Sequence, residues 1–337
     1  MYIAVFYNAL HLMKFIQNKH FRIILGIIVV FFTIFRVCNF CVKSSEKKTS
    51  TVQNIPTVNN TTPVANSIKL AIADDNVFRT VADSLQNKGV DSVFIKKYII
   101  GNNAKFDERF VKINVTGYLK PADYSYATSN IAVLKSKQFL RENSTVLNEA
   151  TKKYNVPQEI IVSILWIETR FGDYLGKNHL PSVFFTTALT NEIENIELNL
   201  QVVAKSENTD SMKKVLFERV RQRSERKAKW AINELVAMSE IEKKFGIDFN
   251  TVYGSWAGAF GIPQFLPSSY LNFAIDGNGD DKIDLFDKND AIHSVANYLK
   301  KHKWGETMEQ KRKAIWSYNN SNAYVDAVLK LAKLIKN

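Results

Sequence analysis

The sequence predicts a mainly α-helical protein, and three observations carry that prediction. Apolar residues recur at near-helical intervals, as Val77, Val81, Leu85 and Val90 do in one stretch. The run from Val156 to Gly172 is apolar on almost every face and is bounded by Pro157, suited to a helical first turn, and Gly172, a C-terminal stop. No stretch shows the regular apolar–polar alternation that a sandwich or barrel needs.

Composition narrows the partners. The 337 residues, 46% hydrophobic, suffice for one large core or two modest ones. A net charge of +12 and a pI near 9.4 point to an anionic partner. Zinc-finger spacing and RNP-type strands are both missing, and the basic residues are dispersed rather than striped, which argues against nucleic acid. A membrane surface or an acidic cell wall fits better. The two cysteines, Cys38 and Cys41, form a C-x-x-C without a second pair, so everything after Cys41 is independent of disulfides.

Residues 1–42 are expected to be an N-terminal membrane anchor or signal segment. An apolar run from Ile23 to Phe35 follows Lys14, Lys19 and Arg22 and, with residues 37–42, approaches the ~20 residues that span a bilayer. A retained anchor is preferred over a cleaved or lipidated signal, because no small-residue cleavage site follows. Residues 43–66, rich in Ser, Thr, Asn and Lys with Pro56 and Pro63, read as a flexible linker. Residues 67–337 form the remaining domain.

Within that domain Asp91-Ser92 is a plausible cap before Val93. Lys112 to Val115 is expected to be extended, and Ser129 to Tyr154 to be one helix. Residues 192–245 are charged with a helical pattern, and Trp230, Leu235, Val236 and Ile241 supply an apolar side. The basic run Arg219 to Lys227 reads as a solvated helix face or as a grip on an anion.

Glu168 is the anomaly of the apolar run. A carboxylate with few polar companions finds a partner or takes up a proton. It is therefore either half of a structural ion pair, for instance with Arg170, or a protonated general acid. Gly254 to Tyr270 mixes small residues with aromatics and the polar Ser255 and Gln264, which suits either a sugar ring or tight helix packing. Asp276, Asn278, Asp280, Asp284 and Asp287 fall at EF-hand positions 1, 3, 5, 9 and 12, with the Lys282 carbonyl at position 7. Asp281 stands where glycine is usual, and Asp287 replaces the customary Glu, with Asp290 three residues on as a substitute. A structural calcium ion is expected, against an Asx-rich turn without metal. Tyr318 and Asn319 lie in a polar turn between two helices, the second capped by Ser321 or Asn322. The scattered histidines argue against zinc or a His-based triad, and no phosphate or dinucleotide fingerprint suggests an organic cofactor.

Taken in order, these stretches resemble the lytic murein transglycosylase B family. Ile167-Glu168-Thr169-Arg170-Phe171-Gly172 resembles its catalytic motif, Gly258 to Tyr270 its Gly-rich segment, and the aspartate loop with Ala291 to Tyr298 its calcium loop and following helix. The resemblance covers about residues 105 to 330. It implies a lysozyme-like helical catalytic core with an additional helical region and an EF-hand-like calcium loop. Glu168 would be the lone catalytic acid and base, with Ser255, Gln264, Tyr318 and Asn319 lining a cleft for peptidoglycan glycan strands. The implied activity is cleavage of the MurNAc–GlcNAc β-1,4 bond with a 1,6-anhydro product, in the cell envelope and facing the periplasm or cell wall. A hydrolytic muramidase and a non-catalytic wall-binding scaffold are the alternatives. Residues 178–194 lack the paired arginines of better-known members, so contacts at that edge of the cleft differ.

Overall fold

The computed structural model describes residues 72–119, 122–206 and 209–336. The expected anchor, the linker and both cysteines lie outside them. No helix among the described residues is long and apolar enough to cross a membrane.

Helices dominate, as the sequence predicts, and polar side chains cap several of their starts. Helix α1 (Arg79–Asn87) follows Asn76, whose side chain accepts from the Phe78 N–H. Asp91 caps the short α2 (Ser92–Ile95), which continues as a π-helical turn (Lys96–Ile100). Asp107 caps α3 (Glu108–Thr116) by accepting from Arg109 N–H. Lys112 to Val115 is therefore helical rather than extended. Of its β-branched residues Val115 is fully buried and Ile113 half-buried, and packing of the helix overrides their strand preference.

The stretch from 129 to 154 also departs from expectation, being two helices, α4 (Asn130–Glu142) and α5 (Ser144–Tyr154). Asn143 breaks them: its amide donates to the Phe139 carbonyl, drawing the side chain into local backbone bonding. Asn155, at φ +57°, ends α5 and delivers the chain to α6 (Gln158–Thr169).

Helix α6 runs through the middle of the core. Ile160, Ile161, Val162, Ile164, Leu165 and Ile167 are all buried, on every face. Their burial contributes on the order of 10 kcal/mol before conformational entropy is subtracted. Beyond it lie α7 (Leu180–Thr187), α8 (Ile193–Ser206) and α9 (Asp210–Phe245). The two-residue strands β1 (Asn178–His179) and β2 (Tyr253–Gly254) pair antiparallel, Asn178 opposite Gly254 and His179 opposite Tyr253. The chain closes with α10 (Pro267–Phe273), α11 (Lys288–Lys301), α12 (Met308–Tyr318) and α13 (Asn322–Lys336). Helix α13 lies along α6, and this packing forms the site described below.

Part of the basic run on α9 is structural. Arg223 donates to the Val115 and Asn114 carbonyls at the C-terminus of α3, and its guanidinium lies 4.4 Å over the Tyr118 ring. Cations suit that negative end of a helix. Lys227 lies 3.9 Å over Trp230, and burial pushes its amine down to about 8.

Candidate active site

Glu168 occupies the last turn of α6, and the backbone after it is unusual. Arg170, Phe171 and Gly172 all have left-handed φ, at +52°, +66° and +106°. Two consecutive non-glycine residues in that region are costly, and such strain persists where the surroundings enforce it. Here they do: Phe171 stacks on Phe139 with ring centroids 4.0 Å apart. The Thr169 hydroxyl donates to the Ile262 carbonyl at 2.7 Å and accepts from the Gly172 N–H. The helix therefore stops at Thr169, with Arg170 as its cap, two residues before Gly172.

This turn separates Glu168 from the cation nearest in sequence. The Arg170 guanidinium lies 4.5 Å over the Tyr174 ring, and Glu168 makes no ion pair among the described residues. Its partner is Tyr324, on the first turn of α13, whose phenol donates to Oε1 at 2.6 Å. Burial pushes the Glu168 carboxyl up to about 7, and the Tyr324 hydrogen bond opposes that shift without cancelling it. Glu168 keeps partial access to solvent. A carboxyl so placed can both give and take a proton near neutrality.

Tyrosines surround it. Tyr318 stacks parallel to Tyr324 at 6.4 Å, and Tyr124 meets Tyr324 edge-on at 5.6 Å. Burial and the Glu168 charge hold the phenols of Tyr318 and Tyr324 well above their ordinary range, so both remain protonated donors. Asn319 reaches the Tyr124 hydroxyl at 3.5 Å, and Tyr126 donates to the Ile167 carbonyl.

The Gly-rich segment forms the adjoining wall. Gly258 and Gly261 have left-handed φ and no room for a side chain: a Cβ would lie 2.2 Å from the Phe184 ring and 2.5 Å from Leu285 Cβ. Gln264, at φ +51°, donates to the Leu175 and Gly261 carbonyls. The Tyr318 hydroxyl donates to the Pro263 carbonyl next to it. Ser255 sits farther along, its hydroxyl accepting from the Ala259 N–H. It has no hydrogen bond to the Glu168 group. The two are connected through residues 172–176, because Gly176 packs directly on the Gly254–Ser255 backbone.

The aspartate loop is attached behind this wall, through an Ile262 N–H bond to the Leu285 carbonyl. Its side chains fold onto its own backbone. Asp276 accepts from Gly279 and Asp281, Asn278 from Asp280, and Asp280 from Lys282. Asp290, buried, accepts from Gly277 with one oxygen and from Asp284 with the other. Burial, with the charges of Asp287 and Asp276, pushes its carboxyl up. Asp287, expected as a ligand, caps α11 through one oxygen, accepting from the Asn289 and Asp290 N–H groups. No group of three or more His, Cys, Asp or Glu side chains converges on a cation position among the described residues. The donor set, carboxylate and amide oxygens with free lone pairs, is nevertheless the kind calcium takes.

With this geometry in hand, comparison with known proteins is informative. The transglycosylase SLT domain family matches residues 74–313. The chain belongs to that family. Membrane-bound lytic murein transglycosylase B of Escherichia coli strain K12 is 33% identical over 166 residues, which are 49% of this chain and 37% of that protein. The match thus spans little over a third of the relative's length. The lytic transglycosylase SLT35 of E. coli, solved in complex with calcium, shares the fold with a TM-score of 0.60 at 22% identity, over 78% of this chain and 93% of that one. SltB3 of Pseudomonas aeruginosa, solved with NAG-anhNAM-pentapeptide, gives a TM-score of 0.57 at 20% identity, over 77% of this chain and 78% of that one.

For this transglycosylase SLT domain, then, Glu168, Tyr318 and Asn319 come together, Gln264 supports the wall beside them, and Ser255 marks its far end. Tyr324 and Tyr124 also belong to the cluster and are not among the predicted residues. The sequence marks Tyr324 only indirectly, by its place one helical turn after the expected cap at Ser321, which accepts from the Tyr324 N–H at 3.3 Å.

Proposed function

We propose that this protein is a peptidoglycan lytic transglycosylase with Glu168 as its only catalytic carboxyl. The observation that carries this reading is the state of Glu168: poised near neutrality by burial, held by the Tyr324 phenol, with no second carboxylate among the groups that shift it. Ordinary glycosidases use two carboxylates on either side of the bond. A lone one fits a reaction that consumes no water. Protonated Glu168 gives its proton to the glycosidic oxygen between MurNAc and GlcNAc, and the C1–O bond breaks. The 2-acetamido group of MurNAc supports the positive charge at C1. Ionised Glu168 then takes the C6 hydroxyl proton as that oxygen bonds to C1, leaving a 1,6-anhydro end and the carboxyl protonated as before. Tyr324 orients Glu168 in both states, and Ser255, Gln264, Tyr318 and Asn319 line the glycan cleft.

The aspartate loop is proposed to hold one calcium ion through Asp276, Asn278, Asp280, Asp284 and Asp290 with the Lys282 carbonyl, and Asp287 acts as the helix cap. Calcium supplies structural stability and no chemistry. The N-terminal apolar run is proposed to anchor the protein in the cell envelope, facing the periplasm or the wall.

Mass spectrometry of digested sacculi tests the reaction. Wild-type protein is expected to release 1,6-anhydromuramic ends, and Glu168→Gln none. Reducing muramic ends without anhydro product would mean a hydrolytic muramidase. Binding without cleavage would mean a scaffold.

A further inference from the structure

A cavity of about 440 Å³ lies beside the β1–β2 pair, away from Glu168. Lys105, Phe106 and Arg109 contribute one side, Lys177, His179 and Tyr253 the other. Its wall is firmly built. The Lys105 N–H donates to the Ser182 hydroxyl at 2.9 Å, and the Asp107 N–H to Thr186 at 3.1 Å, fixing residues 105–107 on α7. His179 bonds the same Ser182 hydroxyl through Nδ1 and packs against the Tyr253 ring at 5.6 Å. Burial holds this imidazole below its ordinary value, so it adds no charge at neutral pH.

The charged groups are unequal. Arg109 is paired with Asp107, the one carboxylate of the cavity. The amines of Lys105 and Lys177 have no hydrogen-bond or ion-pair partner among the described residues. Two exposed aromatics accompany them, Phe106 at 41% and Tyr253 at 49%. Unpaired ammonium groups around apolar surface fit an anion carried on an aliphatic chain, and a neutral sugar would leave both charges unused. The position adds a reason. Lys177 follows Gly176, where a Cβ would lie 2.2 Å from the Gly254 carbonyl and 2.7 Å from the Ser255 nitrogen. The cavity therefore begins one residue beyond the proposed end of the glycan cleft.

We propose that this cavity binds a carboxylate of the peptide stem carried by the glycan, with Lys105 and Lys177 as the cationic partners. This rests on the glycan-cleft reading above, since the stem reaches the cavity only from a strand lying past Ser255. It assigns to Lys105 and Lys177 the recognition of the peptide, which Glu168 and the tyrosines do not provide.

The test is calorimetric titration of the full-length protein with an isolated stem tetrapeptide bearing free carboxylates, the same peptide with its carboxylates amidated, and a peptide-free glycan strand. Wild type is expected to bind the free-carboxylate peptide about tenfold more tightly than the amidated one, and Lys105→Gln/Lys177→Gln to lose that preference. Equal binding of the two peptides by wild type, or a preference that survives in the double variant, would overturn the assignment. The peptide pair probes the cavity without any glycosidic bond, so its result is separable from the reaction. A wild type that prefers the free-carboxylate peptide but binds and cuts no glycan upholds the cavity and refutes the proposed function.

Discussion

The Tyr324 hydroxyl donates to Glu168 Oε1 across 2.6 Å, joining residues 156 positions apart. Two opposed effects meet in that bond. Burial favours the neutral carboxyl, and a donated hydrogen bond favours the ionised one. Burial wins, and Glu168 stands at about 7 instead of 4.5. Acid and base forms are then both accessible near neutral pH, which a residue serving in turn as each requires.

Glu168→Gln is expected to fold normally and lose about 10²- to 10⁴-fold of the lytic rate. The amide keeps the shape and still accepts from Tyr324, but neither gives nor takes a proton. Turbidity loss of sacculi with matched melting curves checks both halves. A variant lysing at the native rate would remove Glu168 from the mechanism.

Tyr324→Phe removes the bond that lowers the Glu168 value, so that value should rise further. If the first step needs protonated Glu168, the alkaline limb of the pH–rate profile moves to higher pH. The maximal rate falls as well, because the carboxyl loses its orientation. A limb that stays in place would uncouple Tyr324 from the Glu168 titration.

The same shift predicts how stability depends on pH. The folded state holds the Glu168 proton more tightly than the unfolded chain does. Its stabilising contribution is therefore complete below about 4.5 and is lost as pH rises through about 7. Glu168→Gln lacks that loss. Its stability relative to wild type should climb between pH 4.5 and 7 and then level off, by a few kcal/mol at most on the order of the shift. Denaturant melts at several pH values read the difference, and parallel curves would contradict a raised value.

Much of this site was legible in the sequence, for physical reasons that differ by residue. Helix α6 was legible because it is apolar on all faces, and Glu168 because a carboxylate at the end of so apolar a run needs a partner or a proton. Arg170 looked like a possible partner, and only the left-handed turn takes it away to Tyr174. Tyr324 was not singled out because its role arises from α13 packing along α6, a contact with no local pattern. Lys112 to Val115 misled because β-branched residues serve buried helix faces as well as strands. Asp287 fits EF-hand spacing and helix-cap spacing equally, and in the fold one of its oxygens caps α11.

Gly176→Ala tests the link between the two ends of the cleft. At φ +89° an alanine is strained, and its Cβ would press on the Gly254 carbonyl, backbone that has no easy escape. A loss of about 1–3 kcal/mol is expected, with a larger fall in glycan binding than Gly89→Ala gives. Gly89 is also left-handed but has open space around it, so it reports strain alone. Equal effects at the two positions would mean that the Gly176–Gly254 contact does not position Ser255.

The aspartate loop allows proposed metal ligands to be told apart from helix caps. Calcium is expected to raise the melting temperature, by an amount that grows with its concentration relative to Kd, and EDTA to reverse the rise. Asp276→Asn should shrink the calcium response and also lower the metal-free melt, because Asp276 accepts from Gly279 with one oxygen and from Asp281 with the other and an amide offers only one. Asp280→Asn should shrink the calcium response while sparing the metal-free melt, since an amide oxygen still accepts from the Lys282 N–H. Asp287→Ala should do the opposite, costing about 1 kcal/mol with or without calcium, because its contacts are the first N–H groups of α11. Asp290→Ala should be the most damaging of the four. It strands the Gly277 and Asp284 N–H groups that its two oxygens hold, at about 1–3 kcal/mol for a buried donor, and it removes a proposed ligand as well. A calcium response unchanged in Asp276→Asn, Asp280→Asn and Asp290→Ala would show that these oxygens serve only the turn.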